Sequence, residues 1–291
     1  MKTNRFFLLL LVCLLSGQGR AKDVESWSVQ LSGMTHYIRY SDFNDMVNSI
    51  NAGMVSDGTP RLDKIKLTSG LDLECFFRMN RFQFGFGIGY QMIPDVEYVD
   101  GDTAFTTLIE DYELKHKVST KVVSVICAYD ILSLSNFTFY GGAGIAYYLT
   151  SISFYNRQYG DLNGNSSTSV MTRTTDSNLS SNNFGLKGLM GVEAKLTSRL
   201  SLDVRFNIRY AALKGFMGTQ TFHEIKETIA GNTYVTDEEY GAYLVRQEPE
   251  PGQVEFGASP DRALGTYEHQ EGVVNLSGYG LQVGLKIHFP Q

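Results

Sequence analysis

The chain is poor in cysteine, proline and tryptophan, with 3, 6 and 1 of these residues among 291, and it has no cluster of basic residues. The lack of grouped lysines and arginines argues against nucleic-acid binding, which uses them to displace phosphate counterions. The composition also excludes a collagen, a coiled coil and a disordered chain. The chain does contain 29 Gly, 17 Tyr and 18 Phe, which favours many β-strands over a helical bundle.

The first 21 residues resemble a cleaved secretory signal peptide. Lys2 and Arg5 precede an apolar run over residues 6–15, and Gly19 and Ala21 occupy the two positions that a signal peptidase reads. About ten apolar residues are too few to cross a hydrocarbon core of about 30 Å as a helix. We therefore expect residues 1–21 to be removed and residues 22–291 to form the mature domain. Cleavage would remove three positive charges and change the net charge from −6 to −9.

A strict alternation of apolar and polar residues is clearest over residues 81–93, where Phe82 and Phe84 share one face and small or polar residues the other. Residues 200–212 repeat the pattern, with Arg205 on the polar face. This period of two is typical of a β-strand, because a helix would mix the two sets around its circumference.

Six more segments follow the same rule and bring the predicted strands to eight: residues 27–40, 66–79, 116–131, 137–154, 184–196 and 273–289. Short connections alternate strictly with long polar ones, which cover residues 41–65, 94–115, 155–183 and 215–272. This asymmetry, with an even strand number, is typical of outer-membrane barrels with short periplasmic turns and long extracellular loops. Three turn signals predict hairpins that project beyond the membrane: Asp100-Gly101, Asn163-Gly164-Asn165 and Gly231-Asn232.

Alternation alone also fits a soluble lipocalin-like barrel, whose apolar face points inward. The last strand favours the membrane barrel, because it carries a polar-x-Gly-x-x-apolar-x-aromatic pattern, followed by Pro290-Gln291: Gln282, Gly284, Ile287 and Phe289. This pattern resembles the assembly signal read by the barrel-assembly machinery of Gram-negative bacteria. With this last-strand pattern, the signal peptide and the loop asymmetry, the mature chain resembles small outer-membrane barrels of the OmpA, OmpX and OmpW type. The resemblance implies an all-β fold, an eight-stranded antiparallel transmembrane β-barrel in the cell outer membrane, and no particular function.

If the apolar faces contact lipid, ten charged residues are expected to form a lumen charge network: Asp72, Glu74, Arg78, Arg81, Glu193, Lys195, Asp203, Arg205, Arg209 and Lys286. An eight-stranded barrel is only wide enough for side chains to fill, and unpaired buried charges are costly, so these groups should pair. The network is either a structural plug or a gate on a narrow solute path. Because opposite charges across a ladder are stabilising, we predict that Lys195 lies opposite Asp203 and Glu193 opposite Arg205.

The last predicted loop, residues 215–272, is strongly acidic, with eleven Asp and Glu against three Lys and Arg. This charge either keeps the loop solvated or attracts a cationic solute or partner. Within it, Glu248-Pro249-Glu250-Pro251 favours an extended backbone. In the first loop, apolar residues at near-helical spacing predict a short helix over residues 41–54: Phe43, Met46, Val47 and Ile50. Packing on the barrel mouth is favoured for this helix over contact with the membrane surface.

Neither an enzyme nor a metal or cofactor site is expected. The sequence has no CxxC, HExxH or P-loop motif. The His-x-Ser arrangement of outer-membrane lipid A deacylases is missing, since His269 is followed by Gln270, and His223-Glu224 is a poor match to the outer-membrane aspartyl proteases. Cys75 and Cys127 fall on the lipid-facing sides of strands that are not neighbours, so no disulfide is expected.

The sequence therefore predicts a monomeric integral outer-membrane barrel that contacts outer-membrane lipid and lipopolysaccharide. Its expected role is passive passage of small, including hydrophobic, solutes through or along a narrow charged lumen. The alternative is a non-conducting barrel for surface interaction, adhesion or envelope stabilisation that acts through its extracellular loops. A barrel-embedded hydrolase is the least favoured hypothesis.

Overall fold

The computed structural model describes residues 26–53, 63–100, 111–161, 168–228, 230–247, 255–259 and 270–290. Over these residues its elements are β1 Ser26–Ile38, α1 Ser41–Gly53, β2 Leu67–Met79, β3 Phe82–Met92, β4 Val96–Asp100, β5 Asp111–Ser133, β6 Phe137–Asp161, β7 Thr168–Lys195, β8 Leu200–Tyr210, β9 Ala212–Leu213, β10 Met217–Thr228, β11 Thr233–Gln247, β12 Glu255–Ser259, β13 Gln270–Glu271, β14 Val274–Asn275 and β15 Gly278–Pro290. No helix of this described part is long and apolar enough to span a bilayer.

Eight of the strands form a closed antiparallel barrel in the order β1–β2–β3–β5–β6–β7–β8–β15. The ring closes where β1 pairs with β15 along its whole length, from Ser26 opposite Pro290 to Ile38 opposite Gly278. Closure gives every barrel strand two neighbours, which satisfies the backbone hydrogen bonds that a bilayer could not. The prediction of an eight-stranded antiparallel barrel is confirmed.

The barrel wall carries apolar side chains on its outer face and polar ones on its inner face, as a membrane protein requires. Phe82 and Phe84 are 46% and 45% exposed on the outside, whereas Gln83 between them is 2% exposed and points inward. Arg205 and Arg209 are buried in the lumen. A soluble barrel with an apolar interior would have the opposite arrangement, so the lipocalin-like alternative is excluded.

Aromatic side chains form a ring at each end of this apolar belt. At the end with the short turns Trp27 stacks on Phe289, with 4.0 Å between ring centroids, and at the other end Tyr37 stacks on Tyr279 at 5.5 Å. Trp27 and Tyr37 lie ten residues apart on β1, which for a strongly tilted strand corresponds to about 25 Å of height, the thickness of an outer-membrane apolar band. These two rings mark the membrane boundaries.

The predicted hairpin extensions above the membrane are confirmed for the described residues. The β5–β6 ladder continues to Asp111 opposite Tyr159, and the β6–β7 ladder to Asp161 opposite Val170. The turn at Gly231 has a φ of 79°, a conformation that favours glycine. The other two turn signals, apart from Asp100, lie outside the described residues, as do residues 1–25 with the predicted signal peptide, and the segment 248–251.

The upper part of β7 leaves the barrel ring and starts a second sheet. Its lower part pairs with β8, from Leu186 to Lys195, and its upper part pairs with β10, from Thr168 to Ser180. The order β4–β5–β6–β7–β10–β11–β12 then continues outside the membrane, and we call this the extracellular sheet. The region 215–272, predicted as a long loop with a hairpin turn at Gly231-Asn232, contains the four strands β10 to β13 in its described part.

The predicted helix in the first loop is confirmed as α1, and it packs on the barrel mouth. Phe43 and Val47 are fully buried, and the side chain of Asn44 exchanges two 2.9 Å hydrogen bonds with the backbone of Ile65. Asp42 accepts a hydrogen bond from the Val273 amide at 2.9 Å. A 13-residue helix is marginal alone, so these contacts stabilise it.

Cys75 and Cys127, both free, lie on β2 and β5, which are separated by β3. Cys127 is exposed on the outer wall and Cys75 is half-buried. This placement agrees with the predicted lipid-facing positions on strands that are not neighbours.

Candidate functional site

The lumen holds ten charged side chains of balanced sign, five acids and five bases: Asp72, Glu74, Asp130, Glu193 and Asp203 with Arg78, Lys187, Arg205, Arg209 and Lys286. Period-two alternation turns each of them inward from a barrel strand. Their formal charges cancel, and they bond mainly to one another, as a low-dielectric interior requires.

Arg205 is the centre of the network. Its Nη1 lies 2.7 Å from the Glu74 carboxylate and its Nε 2.8 Å from that of Asp203, while all three side chains are at most 1% exposed. Asp203 also accepts hydrogen bonds from Tyr140 at 2.5 Å and Gln30 at 3.0 Å. These contacts join β8 to β1, β2 and β6 across the whole width of the barrel.

The predicted register between β7 and β8 is wrong by two residues. Glu193 lies opposite Asp203, Gly191 opposite Arg205 and Lys195 opposite Ser201. Each of the two facing carboxylates is bonded to groups on strands that are not adjacent to its own: Glu193 to Lys286 of β15, and Asp203 to Gln30 of β1 and Tyr140 of β6. A cross-strand rule counts only neighbouring strands, whereas a narrow barrel brings charges from opposite walls into contact.

Glu193 is compensated near the periplasmic end. Its Oε2 accepts a hydrogen bond from Lys286 at 2.9 Å, and its Oε1 accepts one from Ser201 at 3.0 Å and lies 3.0 Å from His288 Nε2. Lys286 also lies 4.6 Å from the centre of the Phe76 ring, a favourable cation–π geometry. In the same region Arg78 pairs with Asp130 at 3.1 Å.

Toward the extracellular side, the network ends in weaker pairs and amide contacts. Lys187 lies 3.6 Å from Asp72 and 3.7 Å from Glu74. Arg209 donates to the Leu276 carbonyl and to Gln91. The charged pairs of the lumen stop at this level. The buried side chains above it are mainly apolar, with uncharged polar groups such as Thr120 and Thr150, whose hydroxyls lie 3.0 Å apart.

Eight of the ten predicted network residues lie in this cluster, and Arg81 and Lys195 do not. Both are exposed, because they flank the short turns at the periplasmic end, where their side chains reach solvent. Arg81 instead bonds to the Tyr129 hydroxyl at 3.4 Å. The network also recruits Gln30 and Ser201, which sequence reasoning missed, although the polar alternation on their strands was a usable signal.

The residues of the predicted assembly signal lie on β15, alternating inward and outward. Gln282 is buried and bonds to Ser32 at 2.8 Å, and a side chain at Gly284 would lie 2.7 Å from the Ser32 Cβ. Ile287 and Phe289 face outward. The strand therefore closes the barrel against β1, and its recognition by an assembly machinery stays a prediction.

An apolar cap lies directly above the charged lumen. We define the cap as α1 with the buried side chains that surround it on the barrel mouth and the inner face of the extracellular sheet: Ile38, Tyr40, Phe43, Met46, Val47, Ile65, Ile93, Leu114, Val118, Val122, Ala146, Tyr148, Ile152, Phe154, Leu179, Ala211, Leu213, Phe216, Ala242, Leu244, Phe256, Val274 and Leu276. These side chains form one cluster, so the mouth is closed by packed hydrocarbon. Sequence reasoning missed four members that lie within the region predicted as the last loop: Phe216, Ala242, Leu244 and Phe256.

One histidine is buried in the cap. His116 stacks on Phe43, with 4.4 Å between ring centroids, and its Nε2 lies 3.0 Å from the Tyr40 hydroxyl. Burial without a neighbouring acid disfavours the imidazolium and lowers the pKa of His116 from 6.5 to about 3. The neutral ring is therefore part of the folded cap at neutral pH.

Acid should loosen the cap through His116. When the cap opens, the imidazole titrates near pH 6.5, so the stabilisation is complete above that pH and is lost as pH falls toward 3. We expect the free energy of cap opening to fall by up to about 1.4 kcal/mol per pH unit in this window. The measurement is amide hydrogen exchange of α1, corrected for the intrinsic pH dependence of exchange. In the matched variant His116→Phe, this pH-dependent fall in the free energy of cap opening should be absent. An unchanged pH dependence in that variant would contradict the assignment to His116.

Comparisons with known proteins find resemblance at the level of architecture. No family model matches the chain, and no curated protein matches it. Among solved structures, Neisserial surface protein A is 13% identical, with 90% of this chain and 97% of that chain covered and a TM-score of 0.39. OprG from Pseudomonas aeruginosa is 12% identical (92% and 98% covered, TM-score 0.39), and Ail from Yersinia pestis is 11% identical (91% and 99% covered, TM-score 0.30). The chain has the architecture of an integral outer-membrane β-barrel, because its eight strands close into a ring with apolar side chains outside and charged ones inside.

Proposed function

We propose that this protein is a non-conducting outer-membrane barrel that serves to display its extracellular sheet as an interaction surface. The observation that carries the proposal is the closure of the lumen at two levels. Ten charges of balanced sign, most of them ion-paired with one another, fill the membrane-spanning part, and the apolar cap covers the mouth above them. A conducting barrel needs a continuous aqueous path, and eight strands leave room for little beyond the side chains.

The extracellular sheet supports the surface role. Strands β5, β6 and β7 continue well beyond the upper aromatic ring and carry β10 and β11 with them. Such an extension adds nothing to membrane anchoring, because the closed barrel already satisfies its own backbone. Neither a catalytic step nor a cofactor is part of the proposal, and the closed ring of strands supports a monomeric barrel in contact with lipid and lipopolysaccharide.

The proposal is tested by conductance of the purified, refolded protein in planar bilayers, with liposome swelling as the assay for uncharged solutes. We expect neither stable conductance steps nor solute entry above protein-free membranes. The sequence-based hypothesis of solute passage predicts the opposite, including conductance that changes when Glu193→Gln alters the lumen charge. Reproducible steps that respond to this substitution would overturn the proposal.

A further inference from the structure

The outermost long strand of the extracellular sheet has one free edge. β11 pairs with β10 over residues 233–243 on one side, whereas on its other side β12 covers only Tyr243 to Gln247. Residues 233–241 have no second strand partner within the described part of the chain. All but Tyr240 in this stretch are exposed. Native proteins seldom leave a straight edge of this length unpaired.

The hydrogen-bond pattern identifies which backbone groups face this edge. The Leu244 amide bonds to the Phe216 carbonyl on the β10 side, and the Thr228 amide bonds to the Asn232 carbonyl. In an antiparallel ladder the residues alternate, so the even-numbered residues of β11 point toward β10. The odd-numbered residues 243, 245 and 247 accordingly face β12. The free amides and carbonyls thus belong to the odd-numbered residues from Thr233 to Gly241.

The side chains along this edge are acidic on both faces of the sheet. Asp237, Glu238 and Glu239 are consecutive, so alternation places Glu238 on one face and the other two on the opposite face. Asp237 contacts His223. Glu238 and Glu239 have no cationic partner among the described residues, in contrast to Glu224, which contacts both Arg173 and Lys226.

We propose that residues 233–241 bind an extended, Lys- or Arg-rich segment of a partner protein, which adds to the extracellular sheet as a further antiparallel strand. The free backbone groups supply the ladder, and the three acids select cationic side chains in the added strand. The proposal names the kind of partner that the displayed surface would bind, and in that respect it rests on the proposed function.

The probe is a pair of nine-residue synthetic peptides of equal charge, one alternating Lys with Thr and the other with its four prolines in adjacent pairs, Lys-Pro-Pro-Lys-Lys-Pro-Pro-Lys-Lys. Adjacent prolines remove amide donors from both sides of the strand, so the Lys-Pro peptide lacks part of the ladder in either register. We expect the Lys-Thr peptide to bind more tightly by about tenfold. In amide exchange followed by NMR on the full barrel, its binding should protect the odd-numbered amides of residues 233–241. The even-numbered amides are already bonded to β10 and should change little.

Two variants distinguish the contribution of the backbone hydrogen bonds to peptide binding from that of the acidic side chains. Val235→Pro removes one outward amide while leaving the bonds to β10 in place, and should weaken the Lys-Thr peptide by about fivefold. Glu238→Gln with Glu239→Gln should weaken it by about tenfold. The matched control is Glu97→Gln with Glu113→Gln, two acids on β4 and β5 at the other end of the same sheet that both contact Lys115. This control should bind like the wild type.

Equal binding of the two peptides, or binding without protection of the odd-numbered amides, would overturn the inference. Its failure is distinguishable from failure of the proposed function. If the bilayers show no conductance and the peptides do not bind, only the partner class is ruled out. If the barrel conducts, the proposed function is overturned whatever the result with the peptides.

Discussion

Replacing Arg205 by methionine should lower the free energy of unfolding by about 3–5 kcal/mol. The substitution removes the guanidinium that compensates two fully buried carboxylates, those of Glu74 and Asp203. A buried ion pair adds little net stability over an apolar pair, but breaking it from one side leaves an uncompensated charge in a low-dielectric interior. The measurement is reversible unfolding by denaturant in lipid vesicles or micelles, followed by tryptophan fluorescence.

The matched control for Arg205→Met is Lys195→Met. Lys195 was assigned to the same network from the sequence but is exposed, so its loss should cost no more than about 0.5 kcal/mol. In the double variant Arg205→Met with Glu74→Gln, part of the loss should be recovered, because one of the two orphaned carboxylates is removed with its partner. Equal effects of Arg205→Met and Lys195→Met would contradict the structure of the network.

Replacing Val47 by aspartate should open the cap while leaving the barrel folded. Val47 is fully buried on α1, and an ionised carboxylate in that cluster would have no cationic partner among its apolar neighbours. We expect the free energy of local opening to fall by about 3 kcal/mol, which corresponds to roughly a hundredfold faster exchange of the α1 amides. Hydrogen exchange measured by mass spectrometry reports this, with barrel peptides as the internal reference.

Asn48→Asp places the same charge on the neighbouring, exposed position of α1 and serves as the control for Val47→Asp. It should leave exchange of the helix nearly unchanged. If the two variants behave alike, α1 does not pack on the mouth as described. Loss of the barrel itself in Val47→Asp would show that the cap and the barrel fold as one unit rather than as two.

The positions of the strands could be predicted because they depend on local pattern. In β3, large apolar side chains on the outer face alternate with small or polar ones on the inner face from Phe82 to Met92. The other barrel strands also carry apolar side chains on their outer face, although Ile126 and Leu189 add apolar side chains to the inner one. The helix α1 was predictable for the same reason, since Phe43, Met46 and Val47 recur at helical spacing and are buried together. Each of these signals lies within about ten consecutive residues.

The partners of the charges could not be predicted, because they lie far apart in the sequence. Glu74 and Arg205 are 131 residues apart and still bond at 2.7 Å. The facing of Glu193 and Asp203 has the same cause, since Lys286 of β15 bonds to Glu193 of β7 and Tyr140 of β6 bonds to Asp203 of β8, and neither pair of strands is adjacent. A rule for adjacent strands contains no information about the far side of the lumen.

From its residues alone the chain determines that it forms strands, how many cross the membrane, which side of each contacts lipid and where the short turns lie. These properties arise from the period of side-chain polarity and from the need to satisfy every backbone group inside a bilayer. The tertiary structure alone decides that the lumen is filled, that the cap closes the mouth and that β7 carries a second sheet with a free edge. Those features depend on contacts between distant segments, whose geometry exists only once the barrel has closed.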